Sequence, residues 1–431
     1  MDESFEPSSL TLARSPSPEI DESLIRDLDT LDLESDNKDL VLPQRDQPPP
    51  HEVLPPVQPR ASSLPHLPCW EDIPISDVKV EKLRNSLAFI DELRKACNKT
   101  SGLEHNDQAA LLDPPCHILD VDDPDTRLSL KLYMGTLNAS DDVYNAIHEA
   151  ILERHPEDKV LSLYQVKRLL TELTGVASIK STMCINSCVA YTEPFEELIH
   201  CPYPECQKPR YDQEELAKMG KKVPRQVFHT IPIGPQLQAQ WHHPDSAEKM
   251  KYRRCRTEEI LKQMDPISGN LKLTEWDNVF CGQDYIELVQ NRTIKTTDMV
   301  LLFSIDGAQL FAHKASDCWI YIWVILDLDP RIRYKKKYVL PGGIIPFGVN
   351  KVKNMDSFTY LGFHHLAVIQ KEGLRVWDAS AAPNAPDHIF VSHPYLFLST
   401  ADSPGQRLIN GYNGHLAKIA CWLFCGIVGR H

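Results

Sequence analysis

Four apolar runs between residues 299 and 402 constrain what this chain can fold into more than any other feature. The first, residues 299–310, climbs through Leu301, Leu302 and Phe303 to a lone carboxylate, Asp306, with Gly307 directly after it. Short apolar runs bounded by turn residues predict buried strands, and the Asp-Gly pair predicts a turn that closes the strand. Residues 320–326 and 338–343 predict a second and third strand, set apart by a charged loop and therefore antiparallel neighbours of the first. Residues 356–374 place Phe358, Leu361, His365, Leu366 and Ile369 on one side of a helix. A fourth strand, 394–402, again ends in an aspartate, Asp402, and Ser403-Pro404 opens another helix. Carboxylates at strand ends are held rigidly and reach solvent, which suits a hard cation. Each also has a plainer reading, Asp306 as an ordinary turn residue and Asp402 as a helix N-cap.

Upstream, Cys184 and Cys188 are followed, after a spacer of twelve residues, by Cys201 and Cys206. Two close pairs with such a spacer predict a tetrahedral zinc site, each pair forming a knuckle, with His200 as an alternative ligand and Pro202 and Pro204 stiffening the second knuckle. Four protein ligands leave no open position, so the zinc is expected to be structural. Buried cysteines without metal are the other reading of the same pattern.

The formal charge of −14 is unevenly spread. Residues 1–50 hold 13 acids against 4 bases, whereas residues 207–256 hold 11 bases against 5 acids. Within the basic stretch, Arg210, Lys221, Lys222, Arg225, Lys251, Arg253 and Arg254, with Tyr252 and Trp241 nearby, are candidates to grip a phosphate backbone. A solvated helix face reads equally well. Residues 1–75 are acidic and poor in aromatics, with nine prolines between 41 and 70, and are expected to be disordered. Inside them, residues 20–33 space Leu24, Leu28 and Leu31 as in a partner-binding helix. The chain opens on acidic residues rather than a secretory signal, and its longest apolar runs, 318–326 and 419–429, fall short of the roughly 18–20 residues that span a bilayer. A soluble protein of a reducing compartment is expected.

These readings make an α+β or α/β multidomain chain. Residues 1–75 form a tail, 76–178 a helical region, 179–256 a zinc-ribbon-like module with the basic region, 257–298 a connector and 299–431 the catalytic candidate. In the helical region, 78–97, 138–155 and 161–173 carry apolar stripes at helical spacing, and a short helix is expected at 258–264.

Several motifs, taken in order, resemble the transposases of CACTA-type (En/Spm-like) DNA transposons, closest to their mushroom-type fungal branch. They are Met183-Cys184 with Cys188, Cys201 and Cys206 with Arg210-Tyr211, residues 231–241, Asp306-Gly307 with Leu310, Ser316 to Trp319, Val339 to Gly343, His364-His365, Thr400 to Pro404, and Gly414-His415 with Cys421 and Cys425. The resemblance covers about residues 125–431. It implies an incomplete ribonuclease-H-like (DDE-type) domain whose first and fourth strands lie side by side and parallel. It also implies Asp306 and Asp402 as catalytic ligands of Mg²⁺ or Mn²⁺, and a further Cys/His motif at Cys421, Cys425 and His431, a possible zinc site. DNA, as transposon ends, is the implied partner and the nucleus the implied compartment. The chemistry implied is strand cleavage and transfer, with two ions about 4 Å apart serving the attacking and leaving oxygens. The third acid of such sites, usually a glutamate on a later helix, would fall beyond His431, so a fragment that does not cut is expected. The alternative is a non-catalytic, zinc-containing DNA-binding or interaction protein.

Overall fold

The computed structural model describes residues 74–410 apart from 101, 104, 118–120, 265–272, 274, 310–316, 348–351, 383–384 and 386–387. The expected tail, the 20–33 helix and the Cys421, Cys425 and His431 group lie outside the described residues. Helices and a mixed sheet alternate along the chain, so the mixed α/β class is borne out.

Helices α1 (Glu81–Lys95), α2 (His105–Leu112), α3 (Pro124–Gly135), α4 (Asp141–Arg154) and α5 (Leu163–Thr174) make up the first part. Their limits follow local chemistry. Asp123 caps α3 ahead of Pro124, and Ser162 and Gln165 form a capping box on α5, which stops at Gly175 with φ +66°. Tyr144 and Ser129 join α3 and α4 to the segment before α5, with Tyr144 Oη donating to Leu161 O and Leu161 N donating to Ser129 Oγ.

The sheet has six strands: β1 (Ile179–Thr182), β2 (Val227–Thr230), β3 (Val300–Gln309), β4 (Asp317–Ile325), β5 (Leu340–Phe347) and β8 (Tyr395–Ala401), in the order β1-β2-β5-β4-β3-β8. Only β3 and β8 run parallel; every other pair is antiparallel. β3 and β4 are buried on both faces by strict alternation. Leu301, Phe303, Ile305, Tyr321, Trp323 and Ile325 enter one hydrophobic cluster, and Val300, Leu302, Val324 and Leu326 enter another. The first cluster is covered by α7 (Ile233–Trp241) and α11 (Met355–Glu372), the second by α9 (Tyr252–Leu261) and α10 (Gln283–Gln290). Short helices α6 (Gln213–Met219) and α8 (Pro244–Lys249) bracket β2 and α7 in sequence.

Two expectations need correction. No turn follows Asp306: β3 runs on through Gly307 to Gln309, because β4 begins at Asp317 and pairs with it residue by residue. The helix expected at 258–264 lies earlier, at Tyr252–Leu261. A hairpin, β6 (Leu374–Trp377) with β7 (Ile389–Ser392), also intervenes between α11 and β8. It follows Gly373, whose φ of +83° ends α11, and a side chain there would run into Val391 Cγ1.

The base of β3 is fixed by a buried ion pair. Arg253 Nε donates to Asp327 Oδ1 at 2.7 Å, and Asp327 Oδ2 accepts from Val300 N at 2.6 Å. The guanidinium also donates to Tyr285 Oη and to the carbonyls of Lys295, Thr296 and Asp298. Burial opposes the charge on Arg253, but Asp327 and Tyr285 outweigh it, so the group stays charged. Asp298 then accepts from Lys295 N and from His393 N, two residues before β8. Replacing Arg253 with Met leaves Asp327 buried without its counter-charge, and a loss of about 3–5 kcal/mol in urea unfolding is expected. Arg254→Met, at an exposed neighbour, is expected to stay within about 0.5 kcal/mol; equal losses for the two variants would remove the pair from its anchoring role.

Candidate metal centre and carboxylate pair

Cys184, Cys188, Cys201 and Cys206 come together with their sulfurs within 4.8 Å of one another, the first three buried. Cys184 Sγ and Cys206 Sγ lie 3.5 Å apart. A zinc tetrahedron with bonds near 2.3 Å needs sulfurs about 3.8 Å apart, so the donor set and its spacing both suit zinc. Each pair sits on a tight knuckle. In the first, Ser187 N donates to Cys184 O, Cys184 N donates to Val189 O, and Ser187 takes φ +55°. In the second, Cys206 N donates to Tyr203 O, Cys201 N donates to Lys208 O, and Gln207 takes φ +48°. Asn186 donates to two sulfurs, from its backbone N to Cys184 and from Nδ2 to Cys206. His200 is exposed and its backbone pairs with Pro209, so it is not a ligand of this cluster: four sulfurs already fill it.

Proton affinities diverge across the four thiols. The Cys201 hydrogen bond holds Cys184 down to about 5, while burial and the Cys184 charge push Cys188 up to about 12. One negative sulfur can be tolerated there, but further ones are opposed, and a dication removes that opposition by taking all four as thiolates.

The cluster is also tied to the core. Cys188 O accepts from Lys353 N and Asn354 N, the residues that open α11. Ser187 Oγ donates to Pro346 O in β5, Ala190 N donates to Ser357 Oγ, and Thr192 Oγ1 donates to Ser357 O.

Asp306 and Asp402 are brought to one level on neighbouring strands. The register pairs Val300 with Tyr395 and Leu301 with Leu396, then skips Phe397 and resumes at Leu302 with Leu398, ending at Ile305 with Ala401. Asp306 and Asp402 each follow that last pair by one residue. Paired residues share a face of a sheet, so the bulge at Phe397 is what puts Asp402 on the face of Asp306, with strand axes about 4.8 Å apart. Both side chains are exposed. Asp306 Oδ1 accepts from Gly307 N, and Asp402 Oδ1 accepts from Gly405 N in α12 (Ser403–Asn410), both at 2.7 Å. Asp402 is therefore the helix cap that its sequence context also suggested. The second oxygen of each has no protein partner among the described residues, so two carboxylate oxygens on rigid strands are free for a hard cation. A Cβ on Gly405 would lie 2.9 Å from Asp402 Oδ1 and 3.2 Å from Ile305 O, so α12 sits directly on this end of β3.

The basic candidates separate by burial. Arg253 is 2% exposed and spent on Asp327, so it is withdrawn as a phosphate contact. Arg210 is half-buried, lies over the Tyr191 ring at 4.7 Å and donates to the carbonyls of Glu196 and Leu198. Lys251 is held by Ser380 and Glu248, and Arg225 is half-buried. Lys221, Lys222 and Arg254 remain exposed. Sequence reading passed over Asn186, Ser187 and Gln207; the Asn-Ser between two cysteines was the available signal.

No protein-family model matches the chain, and no curated protein matches it. None of its described helices is long and apolar enough to cross a membrane.

Purified chain is expected to carry one zinc through the four cysteines, measurable by elemental analysis. Chelation or Cys184→Ser should cost several kcal/mol of the roughly 10–16 kcal/mol that a structural zinc is worth. Hydrogen exchange at 353–357 should speed up at the same time, because Cys188 O holds that helix start. A metal-free chain of unchanged stability would refute the centre.

Proposed function

We propose that β3 to α12 form a ribonuclease-H-like catalytic core of the CACTA-type transposase kind, holding Mg²⁺ or Mn²⁺ at Asp306 and Asp402 and acting on phosphodiester bonds of DNA. One observation carries this reading: β3 and β8 are parallel neighbours whose aspartates stand one step beyond the Ile305–Ala401 pair, on one face. The strand order β5-β4-β3-β8, antiparallel but for its last pair, supports it further.

When bound, such ions supply charge stabilisation at the phosphate and a more acidic attacking water. The chain's own residues do the positioning. Gly307 N and Gly405 N each fix one oxygen of an aspartate, so that the other oxygens are held by strand and helix backbone rather than by flexible loops. Lys221, Lys222 and Arg254 supply salt-sensitive contacts to backbone phosphates. The zinc centre is structural in this reading. Transposon ends are the proposed substrate, the nucleus is the proposed compartment, and residues 20–33 are a proposed docking segment for a protein partner.

A second reading, a zinc-stabilised DNA-binding protein without catalysis, is favoured by a different observation. Among the described residues, the cysteine cluster is the one group of three or more side chains placed to share a metal, and no third acid joins Asp306 and Asp402.

Mn²⁺ titration followed by paramagnetic broadening is expected to show binding that Asp306→Asn weakens at least about tenfold, a loss of about 1.4 kcal/mol. This chain, with no third acid beside the pair among its described residues, is expected not to nick DNA bearing transposon ends; any nicking owed to the pair must require Mn²⁺ and disappear in the same variant. Equal nicking by both proteins would sink the catalytic assignment. DNA binding without nicking, with log K falling against log salt by about 0.9 per phosphate contacted, would leave the second reading standing.

A further inference from the structure

A groove of about 500 Å³ lies between α1, α11 and α12, above Phe303 and Ile305 of β3. Its walls are apolar. Val80 and Leu83 at the start of α1, Ile90 two turns further on, Phe363 of α11, and Leu408 and Ile409 of α12 all line it. Val80, Leu83 and Ile90 are 62%, 51% and 37% exposed. Single exposed apolar side chains are ordinary, but these three recur at helical spacing along one groove. The other side of α1 is already in use: Phe89 is buried there, its ring 5.6 Å from that of Tyr360 on α11. Two charged residues belong to the lining. Asp356 is engaged by Ser86 Oγ at 2.6 Å, and Lys82 is exposed. A nearly uncharged apolar partner therefore suits the groove.

The sequence supplies one directly after α12. That helix ends at Asn410, one residue past Ile409, so the chain leaves it at the groove's own rim. Residues 416–428 hold eleven apolar residues and one charge, Lys418. Among them Leu416, Ile419, Leu423 and Ile427 recur at intervals of three and four, the spacing of an apolar helix face that beds in a groove. The five residues 411–415 between them and α12 include Gly411 and Gly414, which tolerate a sharp reversal, and can reach up to about 17 Å. A tether so short keeps the segment at an effective concentration on the order of millimolar beside the groove, ahead of any free competitor.

We propose that residues 416–428 fold back into this groove, covering Leu83 and Ile90 and holding α12 against β3. The effect reaches the carboxylates, because Gly405 N of α12 is the donor that holds Asp402 Oδ1.

The test is amide hydrogen exchange of the full chain, read by mass spectrometry. Peptides from 416–428 are expected to exchange at least about tenfold more slowly than an unstructured chain of the same sequence. The double variant Leu83→Asp, Ile90→Asp places two charges on exposed positions of the groove. It should abolish that protection and speed exchange in 403–410, while β3 and β4 keep theirs. Tyr164→Asp, at a 75% exposed position of α5 outside the groove, should change neither. A photo-crosslinker at Leu83 in the otherwise native chain should join to 416–428 within one molecule, which tests the contact even if the double variant fails to fold. Unprotected 416–428 peptides in the native chain would overturn the proposal, as would protection that a folded double variant retains. Crosslinks between two chains, with a sedimentation mass twice that of the monomer, would overturn it in favour of a second copy on the groove.

Discussion

The buried pair of Arg253 and Asp327 is the constraint on which the rest of the sheet depends. Asp327 closes the end of β4 onto the first residue of β3 through Val300 N. Arg253 gathers the three carbonyls that precede β3. Asp298, in the same network, reaches His393 N and so sets where β8 begins. Two strands thus start, and a third ends, at a common level set by one group of charges. Breaking a buried pair of this kind costs more than the pair contributes over an apolar substitute, so its role is better described as fixing a register than as adding stability.

The cysteine cluster has the corresponding role at the opposite end of the molecule's logic. It is a small fold within the fold, with too few apolar residues to be stable unaided. Its knuckles instead present Cys188 O, Ser187 and Thr192 to the beginning of α11 and the end of β5. The helix that covers the first hydrophobic cluster is therefore tethered through groups that a metal would hold in place. A metal bound there would couple to the fold along this route, while the carboxylates lie on the other face of the sheet.

Much of the core was legible in the sequence because β3, β4 and α11 are long and strongly patterned. Residues 299–310 and 356–374 fall within a residue or two of their observed limits. The four cysteines were legible as well, since metal-ligand spacing is a local property. What escaped notice depends on tertiary placement. Helix α7, with Gly234, Pro235 and three glutamines in or near it, has weak local signals and is helical because Gln236 and Gln238 satisfy carbonyls of Pro341, Leu111 and Arg375. The β6–β7 hairpin is too short to stand out. Arg253 looked like its neighbours Arg254 and Arg256, and only Asp327, 74 residues away, takes it out of the solvent. Gly307 looked like a turn because pairing by β4 is not visible from β3 alone.

The bulge at Phe397 carries a consequence for how this protein can change over time. It works as a phase shift: one surplus residue in β8 turns the strand's last stretch through half a period, and with it Asp402. The coincidence of the two aspartates is therefore decided by how many residues β8 contains, more than by which residues they are. Substitutions along the strand can accumulate while the alignment survives, whereas a single-codon deletion at the bulge would carry the second carboxylate to the opposite face at the expense of one partly buried ring, Phe397, packed on Tyr285. A lineage could lose the site by that one step and still keep a protein that folds.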